Sequence, residues 1–116
     1  MFGDIFTDLG AALVGGLGLA ASGNLHPGQV SLFESIHGSA PQFAGQNRAN
    51  PLATIMAVAM MLDYLGEKAS GQRIENAVVR LLRSRKLPNL GMDSGFGTDA
   101  VGELVLSELA GAGAKR

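Results

Sequence analysis

Apolar residues recur with the spacing of an α-helix in four parts of the chain. Residues 4–14 form the first of these, and closely spaced glycines follow it. The second begins at Asn50-Pro51 and is apolar on nearly all sides as far as residue 65. An Asn N-cap followed by Pro at the first helical position is typical of a helix start. An apolar surface on nearly all sides predicts that this helix is buried.

Two further helices are predicted in the second half of the chain. Residues 67–86 are amphipathic, with Ile74, Val78 and Leu81 on one face and charged residues on the other. Thr98-Asp99 opens the last helix, which is predicted to continue to residue 109. The tail that follows, residues 110–116, is rich in Gly and Ala and is expected to be frayed.

Only one strand is clearly indicated. Residues 30–36 alternate in part and are rich in β-forming residues, whereas residues 20–29 and 37–49 have the composition of loops. A single strand cannot form a sheet, so its partners are expected outside this chain or in another copy of it. The predicted fold class is therefore α/β and mainly helical, with one or two strands whose sheet partners are missing.

Composition and charge exclude several classes of function. The chain has 116 residues, with nine Lys+Arg against ten Asp+Glu, so it lacks the basic surface that binds nucleic acid or an anionic membrane. Its apolar stretches, residues 9–21 and 52–62, are shorter than the roughly twenty residues of a spanning helix. The N-terminus does not resemble a signal peptide, and the absence of cysteine suits the cytoplasm. A cytoplasmic protein that is part of a larger fold is expected.

Two aspartates near the start are candidate metal ligands. Asp4 and Asp8 stand four residues apart, so their side chains project side by side from a helix. Hard cations such as Mg²⁺ and Mn²⁺ prefer carboxylate oxygens of this kind. The alternative is that both residues are acids of the first helical turns, where the helix dipole favours negative charge. The spacing alone favours the second interpretation.

The segment "LFESIHGSAPQFAGQNRANP", residues 32–51, is the second candidate site. His37 can donate or accept a hydrogen bond and can stack on a base. Gly38 and Gly45 allow a ligand to approach the backbone, and Asn50 stands where a helix N-terminus can attract an anion. The segment is either a nucleotide cradle or a surface loop in which Asn50 caps the helix. The glycines at residues 15, 16 and 18 fit neither the dinucleotide fingerprint nor the Walker pattern.

Three blocks of the sequence resemble one enzyme family. The blocks "FGDIFTDLGAALVGGLGLAASGNL", "FESIHGSAPQFAGQNRANPLATIMAVAMMLDYLG" and "LPNLGMDSGFGTDAVGELVLSEL" are similar to the C-terminal third of the β-decarboxylating dehydrogenases. That family comprises the isocitrate, 3-isopropylmalate, homoisocitrate and tartrate/D-malate dehydrogenases. The chain is thus identified as the mainly helical C-terminal portion of the isopropylmalate/isocitrate dehydrogenase-like fold, and residues 1–116 as an incomplete domain.

The resemblance implies a role for both candidate sites. Asp4 and Asp8 would bind the Mg²⁺ or Mn²⁺ that also holds the substrate. The loop would bind the adenosine half of the cofactor, and Glu34 and Ser22 occupy positions that often approach the cofactor. The adenosine-binding residues implied in this way are His37, Gly38, Ser39, Ala40 and Asn50.

The residues after "HGSAP" bear on the choice of cofactor. Members that use NAD commonly have Asp there, and many members that use NADP have a Lys-Tyr pair, whereas this chain has Gln42-Phe43. Gln42 can hydrogen-bond a ribose hydroxyl but offers no charge to a 2′-phosphate. Residues 87–99 also lack the Tyr and Arg that NADP enzymes add. NAD is therefore the expected cofactor, and Arg48 leaves NADP open.

The resemblance further implies a small 2-hydroxy acid substrate and a homodimer in the full-length family. The family's substrate-binding arginines and its catalytic tyrosine and lysine precede the segment that this chain matches. The parent family is therefore expected to be an enzyme, and the isolated chain a fragment without activity of its own. The alternative is an inactive nucleotide-binding or assembly module that complements a separate N-terminal chain.

Overall fold

The computed structural model describes residues 21–36, 41–87 and 94–114, with side chains to residue 111. Its elements are two strands, a 3-10 turn and three helices: β1 (Ala21–Asn24), β2 (Leu32–Ser35), the turn (Pro41–Phe43), α1 (Leu52–Tyr64), α2 (Lys68–Arg83) and α3 (Thr98–Ala114). The helices predicted in the second half of the chain are confirmed, and the helix predicted over residues 4–14 lies outside the described residues. None of the helices in the described ranges is long and apolar enough to cross a membrane.

The two strands form an antiparallel pair in which Ala21 faces Ser35 and Asn24 faces Leu32. Strand β2 confirms the prediction over residues 30–36, but the prediction of loop over residues 20–29 is wrong at β1. The expectation that the partner of β2 lies outside the chain is corrected by the same pairing. Small and polar residues give β1 little strand propensity, so its conformation depends on the hydrogen-bonded ladder with β2. In the described part of the chain the sheet has these two strands, which agrees with a mainly helical α/β fold.

One face of this strand pair packs on α1. A Cβ atom at Gly23 would lie 3.1 Å from Cε1 of Phe33 and 3.2 Å from Sδ of Met60. The Phe33 ring in turn lies 5.8 Å from the ring of Tyr64, centroid to centroid. The glycine therefore leaves the space in which Phe33 bridges the strands and the helix.

Helix α1 is the centre of the core, as its apolar sequence predicts. It contacts both strands and α2. Helix α3 packs on α2 and completes the core. The buried apolar residues are Ala21, Leu52, Ala53, Met56, Ala57, Ala59, Ala77, Val78, Leu81, Leu87, Val101 and Val105.

Charged groups join α2 to α3 at the edge of this core. The carboxylate of Glu108 in α3 forms two ion pairs: Oε2 lies 3.5 Å from Nε of Arg80, and Oε1 lies 3.6 Å from Nζ of Lys86. Arg80 also donates a hydrogen bond to the backbone carbonyl of Glu108 at 3.2 Å. The Glu108 side chain is only 19% exposed, so these charges interact with less screening than a surface pair.

Helix α3 is longer than predicted. It continues through Ala110 and Gly111 to Ala114, so the expectation that the tail is frayed from residue 110 is wrong for this part. Alanine is the best helix former and alternates with glycine here, and adding residues to an existing helix is easier than starting one.

Candidate functional site

The described part of the candidate loop, residues 41–50, is a series of tight turns. The N–H of Ala44 bonds the carbonyl of Pro41, and the N–H of Gln46 bonds the carbonyl of Phe43, each at 3.1 Å. The backbone then takes positive φ values of 78° at Gly45 and 54° at Asn47. Glycine and asparagine are the residues that tolerate this conformation, so the sequence fits the bend.

Asn47 joins this loop to the first turn of α3. Its Nδ2 donates to Oδ1 of Asp99 at 2.8 Å, and its Oδ1 accepts from the backbone N–H of Asp99 at 3.0 Å. Its backbone carbonyl accepts from the N–H of Thr98 at 3.1 Å. These three hydrogen bonds, which we call the Asn47–Asp99 clamp, connect residues about fifty positions apart.

Two neighbours complete the clamp. The Thr98 hydroxyl donates to the carbonyl of Ala49, two residues beyond Asn47. Gly97 lies against the clamp, since a Cβ atom there would be 2.5 Å from Nδ2 of Asn47 and 2.9 Å from Oδ1 of Asp99. A side chain at position 97 would therefore displace the Asn47 or Asp99 side chain from the clamp.

The clamp also sets the charge of Asp99. The pKa of this carboxyl is lowered, first by the hydrogen bond from the Asn47 side chain and then by the bond from the N–H of Ala100. Burial opposes this effect only weakly because the residue is exposed. Asp99 is therefore ionised at neutral pH, which is also the favourable charge for the first turn of a helix.

At its other end the loop caps α1. The carboxamide oxygen of Asn50 accepts from the N–H of Leu52 at 2.9 Å, and Pro51 has helical dihedral angles. The regular helix begins with the bond from Ile55 to the carbonyl of Pro51. The helix thus starts one residue later than predicted: Pro51, not Asn50, is the N-cap, and Leu52, not Pro51, is the first helical residue. Residues 47–50 thus supply acceptors to the N-termini of both α3 and α1.

The side chains at residues 42, 43 and 48 lie on the surface of this loop. The Arg48 guanidinium lies 5.7 Å from the centroid of the Phe43 ring, within the range of a cation–π contact. It also approaches Oε1 of Gln46 at 3.4 Å. Gln42 is exposed, and its backbone carbonyl accepts from Nε2 of Gln46 at 2.9 Å.

The strand pair brings together two other residues that the sequence singled out. Ser22 and Glu34 face each other across the ladder. They lie on the face opposite to Phe33, because side chains alternate along a strand. Glu34 is exposed and Ser22 half-buried, so both remain accessible to a ligand from this side.

The remaining predicted site residues lie outside the described residues. These are the metal-ligand candidates and the first part of the loop: Asp4, Asp8, His37, Gly38, Ser39 and Ala40. Within the described ranges no three His, Asp or Glu side chains are grouped closely enough to hold a metal ion.

Sequence reasoning missed the clamp. The sequence indicates only a helix start at Asp99 and no role for Asn47 or Gly97. The available signals were an Asn in a Gly-rich loop and a Gly-Thr-Asp helix start, but neither of them indicates its partner. Each is common in proteins, and only the tertiary fold brings the two segments together.

Comparison with known proteins establishes the family. Residues 1–105 match the family model described as isocitrate/isopropylmalate dehydrogenase. The chain is 51% identical over 110 residues to the isocitrate/homoisocitrate dehydrogenase of Thermus thermophilus, and 55% identical over 87 residues to the 3-isopropylmalate dehydrogenase of Frankia casuarinae. These matches cover 94% and 73% of this chain.

Solved structures agree with this result. An isocitrate dehydrogenase from Methylococcus capsulatus aligns with a TM-score of 0.74 and 44% identity over 94% of this chain. A β-decarboxylating dehydrogenase from Thermococcus kodakarensis aligns with a TM-score of 0.77 and 36% identity over 97% of it. The chain therefore has the fold of the matching third of these dehydrogenases and belongs to the isocitrate/isopropylmalate dehydrogenase family. It spans 32% of the Thermus relative and 25% of the Frankia relative.

Proposed function

We propose that this chain supplies the adenosine-binding loop and two metal-ligating carboxylates of an NAD-dependent oxidative decarboxylase of a 2-hydroxy acid. The substrate is of the isocitrate, homoisocitrate, 3-isopropylmalate or tartrate/malate type. The observation that carries the proposal is the ordered loop of residues 41–50, which is tied to two helix N-termini in a chain of this family. A loop held in one shape can bind a cofactor without a large loss of conformational freedom.

In this proposal the loop binds the adenosine half of NAD. His37, Gly38, Ser39 and Ala40 contact the nucleotide, and Asn50 holds the end of the loop at the start of α1. The exposed Gln42 side chain carries both a donor and an acceptor for the ribose hydroxyls. Glu34, with its cross-strand partner Ser22, approaches the cofactor from the strand pair.

The described residues favour NAD over NADP. Gln42 has no charge with which to bind a 2′-phosphate. The one nearby cation of residues 41–50 is Arg48, and its guanidinium lies over the Phe43 ring and next to Gln46. Recruiting Arg48 to a phosphate would require breaking these contacts.

The metal site is assigned from the chemistry of its donors. Asp4 and Asp8 offer the oxygen ligands that Mg²⁺ and Mn²⁺ prefer, and two carboxylates leave coordination positions for substrate and water. A bound divalent ion would polarise the substrate hydroxyl and stabilise negative charge as CO₂ is lost. Residues of this chain would serve to hold that ion and the cofactor near each other.

The other catalytic groups belong, in this proposal, to sequence that the relatives have in addition to the matched third. Those groups select the 2-hydroxy acid and transfer protons, and the complete enzyme is a homodimer. The chain by itself then binds nucleotide and metal but does not turn over substrate.

Calorimetric titration of the purified chain with NAD tests the nucleotide part of the proposal. We expect saturable binding that is weakened by His37→Ala, with weaker binding of NADP. The control is Arg83→Ala, which removes an exposed charge from the last turn of α2. Absence of saturable NAD binding by a folded chain would refute the nucleotide assignment.

Binding of Mn²⁺, followed by its electron paramagnetic resonance signal, tests the metal part. We expect binding by the wild type and its loss in the Asp4→Asn, Asp8→Asn double variant. Assays with isocitrate, 3-isopropylmalate, tartrate and malate should show no reduction of NAD. Turnover by the chain alone would contradict the assignment of the catalytic groups to other sequence.

A further inference from the structure

The clamp joins residues 41–50 to a part of the chain about fifty positions away. The loop's internal hydrogen bonds join residues two to four apart, so they shape turns without fixing where the loop lies. The three hydrogen bonds of Asn47 and the Thr98 hydroxyl bond tie it to α3. Loss of the clamp would remove the three Asn47 bonds that tie this loop to α3.

Asn47 and Asp99 each act as both hydrogen-bond donor and acceptor toward the other. The Asn47 carboxamide donates to the Asp99 carboxylate and accepts from the Asp99 backbone N–H. A hydrogen bond to an ionised acceptor is stronger than one between neutral groups. The acceptor also satisfies an N–H of the first turn of α3, which has no partner within its own helix.

Capping alone does not require such a partner from another segment. Asp99 already accepts from the N–H of Ala100 at 2.7 Å, and a Ser, Thr or Asp side chain commonly satisfies a helix start locally. The bond to Asn47 adds a fixed distance between α3 and the bend at residues 45–47. What the bond to Asn47 specifies is therefore the position of the loop.

We propose that Asp99 is a positioning residue for adenine-nucleotide binding, acting through Asn47 to hold residues 41–50 in the nucleotide-competent shape. This inference rests on the proposed nucleotide-binding function. Asp99 need not touch the nucleotide. Its contribution is that the loop is already placed when the nucleotide arrives, so binding does not have to order it.

Titration of the full chain with NAD, with five variants, tests this role. Asp99→Ala removes the acceptor, and Asn47→Gly removes the carboxamide while keeping a residue that accepts the positive φ. We expect that without the clamp the loop has the nucleotide-binding shape in about one molecule in ten. Each variant should then bind NAD about tenfold more weakly. The double variant should bind no more weakly than either single variant, because both changes break the same contact.

Rescue and control variants separate positioning from charge and from stability. Asp99→Asn keeps an oxygen acceptor for Asn47 and Ala100, so it should bind NAD within about twofold of the wild type. Arg80→Ala loosens α3 at its opposite end, and it should lower the unfolding temperature without changing NAD affinity. Circular dichroism confirms that each variant is folded at the temperature of the titration.

The outcomes distinguish this inference from the function on which it rests. If the wild type binds NAD and folded Asn47→Gly or Asp99→Ala binds equally well, the positioning role is wrong and the proposed function stands. If Arg80→Ala weakens binding as much as Asp99→Ala, the effect is one of stability and the positioning role is again wrong. If the wild type does not bind NAD, the proposed function and this inference fail together.

Discussion

Gly71 of α2 lies against the backbone carbonyl of Ala59 of α1, and a Cβ atom at Gly71 would be 2.7 Å from that oxygen. The backbone of α1 cannot move away without disturbing the buried residues on both sides of it. The distance between the two helices is therefore set by the absence of a side chain at this position.

Gly71→Ala should for this reason destabilise the protein although alanine favours helices. Overpacking costs about 1–3 kcal/mol, which exceeds the roughly 1 kcal/mol that Gly to Ala contributes within a helix. Urea unfolding followed by circular dichroism measures the net change. Gly102→Ala in α3 is the matched control, because no atom lies within 4 Å of its added Cβ. That variant should be stabilised, and a stabilised Gly71→Ala would contradict the close approach.

Gly97→Ala should open the Asn47–Asp99 clamp. The added methyl group would occupy the space between the Asn47 carboxamide and the Asp99 carboxylate, so both must move. Loss of these hydrogen bonds should lower the free energy of unfolding. Hydrogen exchange at the amides of Thr98 and Asp99 should become faster than in the wild type, whereas exchange within α2 should change little. Unchanged protection of both amides would show that the clamp tolerates a side chain there.

The clamp should weaken in acid. Because the pKa of folded Asp99 lies below that of the unfolded chain, its contribution to stability is complete above the unfolded pKa. That contribution is lost as the pH falls below about 4 toward the folded pKa. Asp99→Asn cannot titrate, so its stability should depend less on pH in this range. The measurement is the unfolding temperature of both proteins at a series of pH values. If it falls equally in acid for the wild type and the variant, Asp99 does not contribute.

Glu75 of α2 should show the opposite dependence. Its pKa is raised, first by burial and then by repulsion from Asp63, so the charged form is disfavoured in the folded state. The charged carboxylate therefore lowers the free energy of unfolding. This loss is absent below the ordinary pKa of glutamate and complete once the pH exceeds the folded pKa. Glu75→Gln should therefore raise the unfolding temperature at pH 7 and leave it nearly unchanged at pH 3. Equal shifts at both values would point to a change in packing rather than charge.

Glu108→Gln should weaken the attachment of α3 to α2. The variant loses the charge that interacts with Arg80 and Lys86, which is worth up to about 1 kcal/mol for a partly exposed pair. The decrease in unfolding free energy caused by the variant should be smaller in 1 M salt, where the Debye length is about 3 Å. Glu103→Gln, an exposed position on the same helix, is the control and should have no measurable effect. A loss for Glu108→Gln that does not depend on salt would argue against the ion pairs.

The sequence predicts those features whose causes are local. The start of α1 follows from the Asn50-Pro51 pair, and α2 follows from the spacing of Ile74, Val78 and Leu81. Strand β1 could not be predicted, because residues 21–24 form a strand only by pairing with β2. The extension of α3 was missed because the glycines of the tail suggest a break, whereas an existing helix can be prolonged through them.

The candidate site divides in the same way. The Asn50-Pro51 pair is a local signal that predicts the start of α1 to within one residue. Asn47 and Asp99, in contrast, are 52 residues apart, and nothing in either segment indicates the other. That Ser22 and Glu34 face each other across the ladder depends on the pairing of the two strands and its register, which the sequence does not indicate. The proposed nucleotide contacts come from the resemblance to a family, and composition alone left them open.

The spacing between Asn47 and Asn50 constrains how the chain can change in length. Each residue meets a different helix, so deleting or inserting one amino acid between them would pull one of the two anchors out of register. The turn between β1 and β2 is under no such restriction, since its Val30 is 89% exposed and the described contacts there are local. Tags or labels for experiments on this protein are therefore better placed in residues 25–31 than anywhere in the three-residue step from 47 to 50.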